Sequence, residues 1–127
     1  MDDFQRQQID TDRLPRQVVE KWSPTVLSEG FVPFPKRLVR CLHRIFPGGA
    51  SMKELSVLLA IVDYKRPNLT RLPSLAYLAF LAGLDVDEFS TTLVHLENRG
   101  LVQVGGNREG LDITLNGLLQ TIEAETQ

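Results

Sequence analysis

The chain has 127 residues, 43% hydrophobic and 24% charged, with a formal net charge of −2. That composition suits one globular core and excludes a low-complexity or fibrous protein. No stretch approaches the apolar length of a membrane span, no signal-peptide pattern is present, and the single cysteine, Cys41, excludes an internal disulfide or a cysteine metal cluster. A reducing, cytoplasmic compartment fits.

Taken in order, residues 1–30 read as an N-terminal arm or helix and residues 31–127 as the domain proper. Pro15 suits the first turn of a short helix reaching Trp22, and Ser23-Pro24 stops it. Burial of Trp22 against the domain or a second subunit is expected. Phe31-Val32-Pro33-Phe34-Pro35 must be extended, because its two prolines forbid helix. A helix from Lys36 to Phe46 follows, with Leu38, Val39, Leu42, Ile45 and Phe46 apolar, and with Lys36, Arg37, Arg40 and Arg44 on the opposite face. Pro47-Gly48-Gly49 breaks it. Ser51 and Glu54 form a capping box that opens a helix to about Tyr64, apolar nearly all round and so the expected centre of the bundle. Lys65 to Arg71 is a basic loop.

Ser74 caps a short helix to Ala82, which Gly83 closes. Asp85 and Glu88 form a second capping box, starting a helix that ends at Arg99-Gly100, with Val86, Phe89, Leu93 and Leu96 inward. Two β-prone runs follow, Leu101 to Val104 and Leu111 to Thr114, joined by the glycine-rich loop Gly105 to Gly110 with Arg108 at its tip. Leu115, Leu118, Leu119 and Ile122 make an amphipathic C-terminal helix. The expected fold is mainly α with a small β-hairpin: a winged helix-turn-helix with an N-terminal arm and a C-terminal amphipathic helix.

Charge is segregated along the chain. Residues 1–30 hold 4 Lys/Arg against 6 Asp/Glu (net −2), residues 31–72 hold 8 against 2 (+6), and residues 73–127 hold 2 against 8 (−6). The basic surface therefore precedes the helix-turn-helix, where phosphate attraction would be expected.

Pro73-Ser74-Leu75, Leu78-Ala79, Gly83-Leu84, Leu93 and Leu96-Glu97-Asn98-Arg99-Gly100-Leu101-Val102 resemble the winged-helix pattern of many bacterial and phage regulators. With Phe31 to Pro35 and Ser51-x-x-Glu54-Leu55-x-Val57-Leu58-Leu59 ahead of it, the arrangement over residues 31–114 is similar to replication-initiation proteins. These are the N-terminal domain of the DnaD primosome family and the DNA-binding domain of phage replication protein O-like proteins. The resemblance implies double-stranded DNA binding, or assembly of a nucleoprotein complex by self-association. The separate C-terminal DNA-binding region of the DnaD family has no counterpart in these residues.

Under a DNA-binding reading, the helix after Asp85 enters the major groove. Thr91, Thr92, His95 and Asn98 are the candidates for base edges or phosphates. Arg108 is placed for the minor groove, and Lys36, Arg37, Arg40, Arg44, Lys65, Arg66 and Arg71 for phosphates. The absence of Lys or Arg before Arg99, and the acids Asp87 and Glu88 at the helix start, weigh against it; these acids also serve the helix dipole. The basic helix admits three readings: a solvated face, a phosphate grip, or a dock for the acidic half of a second subunit. His43 and His95 lack metal-site spacing, Cys41 suits a buried thiol, and the glycine run lacks a phosphate loop's Lys-Ser/Thr ending. No cofactor, metal site or catalysis is expected. A homodimer through the terminal helices is expected; the alternative function is an oligomerisation or adaptor module of a DNA-processing assembly that does not touch DNA.

Overall fold

The computed structural model describes residues 13–65 and 71–124. The chain divides into two units, residues 1–33 and 34–127, a boundary three residues beyond the one drawn at residue 30. In the first unit, α1 (Arg16–Lys21) begins after Pro15 as expected and carries an exposed Arg16–Glu20 ion pair at 2.7 Å. None of its residues is buried. Trp22 is 52% exposed in the single chain, with the Lys21 ammonium 5.6 Å from its ring centroid.

The second unit is mainly α with one two-stranded antiparallel hairpin. Its elements are α2 (Lys36–Ile45), α3 (Met52–Tyr64), α4 (Leu75–Ala82), α5 (Val86–Asn98), β1 (Gln103–Asn107), β2 (Gly110–Thr114) and α6 (Asn116–Glu123). Both capping boxes form. The Ser51 Oγ accepts from the Glu54 amide at 3.1 Å, and an Asp85 carboxylate oxygen accepts from the Glu88 amide at 2.7 Å. In each box the glutamate returns to accept from the cap residue's own amide.

The helix ends are closed by glycine. Gly83 (φ 73°) and Gly100 (φ 79°) take the left-handed conformation, and the Leu84 and Leu101 amides donate back to the Ala79 and Leu96 carbonyls at 3.0 and 3.2 Å. This backbone closure turns α4 directly into α5. α3 is the central helix, packing against both α4 and α5, and Val57, Leu58 and Ile61 are fully buried. Leu78, Phe89, Leu96, Val102 and Ile113 complete one continuous core with them. α2 packs against α6. Val39, expected on the inner face of α2, is instead 60% exposed, while Cys41 is fully buried.

The hairpin differs from its expected bounds. Leu101 and Val102 are buried before the strand begins, and Gly105, Gly106 and Asn107 lie within β1. Val104 faces Ile113 and Gly106 faces Leu111, so the connection is only Arg108-Glu109. The Asn107 side-chain oxygen accepts from the Glu109 and Gly110 amides at 3.0 and 3.2 Å, which closes the turn. The turn is also fastened to the start of α4: the Leu75 amide donates to the Arg108 carbonyl at 2.9 Å and the Leu111 amide to the Pro73 carbonyl at 2.8 Å.

Candidate nucleic-acid interface

α5 is neither wholly buried nor wholly free. Phe89, Leu93 and Leu96 face the core, while Asp87, Thr91, Val94, His95 and Asn98 are exposed. The spacing 87, 91, 94/95, 98 is that of a single helical stripe. Thr92 does not belong to it. It is 5% exposed and its hydroxyl donates to the Glu88 carbonyl at 2.7 Å, so it presents no group to a ligand. Its position explains this: it lies three residues after Phe89 and four before Leu96, on the inner face.

The acids of α5 are mostly engaged within the molecule. Asp85 caps the helix. Glu88 meets the Lys53 ammonium at 2.7 Å, and Glu97 accepts from the Val104 amide at 3.1 Å. The hydrogen bond from Lys53 holds the Glu88 carboxyl below its ordinary pKa, and the same bond raises the Lys53 ammonium. Asp87 is the acid of α5 with no such partner among the described residues.

The basic candidates separate into three groups. Lys65 is exposed, but its ammonium donates to the Ile113 carbonyl at 2.8 Å, fastening the end of α3 to β2. Arg71 and Arg108 are exposed, and both lie near the start of α4, Arg71 just before it and Arg108 through the backbone contact with Leu75. Arg66 lies outside the described residues. Lys36, Arg37, Arg40 and Arg44 are exposed and have no ion pair among the described residues. At 100° per residue they fall within about 100° of arc, a stripe about 12 Å long. α2 packs on α6, whereas α5 packs on α3 and α4, so the cationic stripe and the α5 stripe sit on separately supported helices.

Arg99, the cation at the end of α5, is directed inward. Its Nε lies 2.6 Å from a Glu54 carboxylate oxygen, its Nη2 donates to the Gly49 carbonyl at 3.1 Å, and its guanidinium stacks 5.1 Å from the centroid of Phe46. The Arg99 hydrogen bond, with help from the Ser51 amide, holds the Glu54 carboxyl below its usual range. Sequence reasoning missed this clamp and the Lys65 tie because both join residues more than 40 positions apart, where no local spacing signals contact. No protein-family model, curated protein or solved structure matches the chain.

Proposed function

We propose that the chain is a winged helix-turn-helix protein that binds double-stranded DNA, in transcription regulation or replication initiation. α5 faces the major groove and the α2 stripe supplies phosphate contacts. The observation that carries the reading is the outward stripe of α5. Thr91, His95 and Asn98 offer hydrogen-bonding groups of the kind that read base edges, while three of the helix's four acids are held in intramolecular contacts. Four cations on α2, without an ion pair among the described residues, match the electrostatic demand that dominates DNA affinity. On this reading the protein is a cytoplasmic binding protein rather than an enzyme, and acts as a homodimer.

The test is duplex binding by fluorescence anisotropy across a salt series, comparing wild type with Arg108→Ala and with Arg40→Ala/Arg44→Ala. Weaker binding to all sequences and a shallower salt slope for the paired change support the proposal. Val94 and Met52, 51% and 72% exposed on α5 and α3, favour a second reading: an oligomerisation or adaptor module in a DNA-processing assembly. Absence of duplex binding at low salt, with a concentration-dependent oligomer, would establish that reading instead.

A further inference from the structure

A groove of about 530 Å³ opens between the end of α3, residues 71–74, α4 and the hairpin turn. Small-molecule sites commonly enclose about 300–1,000 Å³. Tyr64, 5% exposed, and the half-buried Leu81 line it together with the more exposed Tyr77 and Leu72. Arg71 comes to the rim from the segment before α4, and Glu109 from the hairpin turn. Both side chains are exposed, and neither forms an ion pair with the other or with any described residue. The groove thus carries one cation, Arg71, and two carboxylates, Asp63 and Glu109, and Arg71 and Glu109 do not neutralise each other.

We propose that this groove binds a small zwitterion with an apolar body, of the size and charge of an aromatic amino acid. A guanidinium receives a carboxylate through two parallel hydrogen bonds, which suits Arg71, and the Glu109 carboxylate receives an ammonium. The ligand ring rests against Tyr77 and Leu72, where aromatic contact adds to apolar burial. A phosphate-bearing ligand is disfavoured by Glu109 and Asp63 in the same lining. The groove shares the hairpin turn with the hydrogen bond from Leu75 to Arg108, so an occupant spans the junction that positions the hairpin on α4. The proposal stands independently of DNA binding.

The experiment is calorimetric titration of the full chain with L-phenylalanine, with phenethylamine and 3-phenylpropionate as probes that each lack one charge. Saturable binding of L-phenylalanine is expected, with each control weaker by about tenfold. Arg71→Ala should bring L-phenylalanine down to the affinity of phenethylamine, and Glu109→Gln down to that of 3-phenylpropionate. Both residues are exposed, so folding is retained and is checked by circular dichroism. No saturation by about 10 mM, equal binding of the controls to wild type, or affinity unmoved by either substitution would each overturn the proposal.

Discussion

Arg99 and Glu54 meet at 2.6 Å across 45 positions of sequence, joining the last turn of α5 to the first turn of α3. The Glu54 side chain is only 9% exposed and also completes the α3 capping box, so its charge is balanced by a single guanidinium and the Ser51 amide. Arg99→Ala strands that carboxylate and removes the stacking on Phe46. A loss of about 2–3 kcal/mol is expected in urea unfolding. Arg99→Lys should recover part of it, since an ammonium restores charge but not the two-pronged geometry.

The same pair sets a pH dependence. The Glu54 carboxyl holds its proton less tightly folded than unfolded, because Arg99 and Ser51 favour the charged form. Its stabilisation is therefore complete above the ordinary glutamate range and is lost as pH falls through the lowered folded value. Melting temperature should drop through the acid range below about pH 4.5, and the Arg99→Ala protein should show a shallower decline there.

Gly117 supplies a steric test. A Cβ at this position would overlap the Gly100 carbonyl oxygen, at the point where the Leu118 amide donates to the Leu101 carbonyl. Gly117→Ala must push α6 away from the end of α5, and a loss of about 1–3 kcal/mol is expected by chemical denaturation. Gly48→Ala, where a Cβ meets nothing but φ is +85°, should cost only the backbone strain of about 1–2 kcal/mol.

Two neighbouring threonines discriminate the outward face of α5 from the inward one. Under the DNA-binding proposal, Thr91→Ala and His95→Ala should weaken a preferred duplex by about 1–3 kcal/mol each. Thr92→Val, which alters a buried hydroxyl bonded within its own helix, should leave affinity unchanged while stability moves by about 1 kcal/mol.

Asp87 supplies a sign test. It is the outward carboxylate nearest the start of α5 and has no ion pair among the described residues. Asp87→Asn removes a repulsion toward phosphate, so duplex binding should tighten at low salt, with the gain fading as salt screens it. Unchanged or weaker binding would remove α5 from the DNA surface.

Helix starts and stops were legible because their chemistry is local. Ser51 with Glu54, Asp85 with Glu88, and the glycines at 83 and 100 act over three to five residues, and all form as read. The hairpin was less legible because glycine is a poor strand residue, so Gly105-Gly106 read as loop. Pairing with Asp112 and Leu111 overrides that preference, and Asn107 closes the turn two residues wide. Thr92 was readable in principle, since its spacing from Phe89 and Leu96 marks the inner face; its polarity argued the other way. The exposure of Val39 depends on how far neighbouring elements extend, which composition does not carry.

Two amide links, from Leu75 to Arg108 and from Leu111 to Pro73, tie the ribbon to the start of α4 through backbone alone. α4 carries the ribbon at one end and leads straight into α5 at the other, through the Gly83 bend. The position of Arg108 relative to α5 is therefore set by backbone hydrogen bonds and the Gly83 bend rather than by side-chain contacts, and inserting residues between Asn107 and Gly110 would alter it.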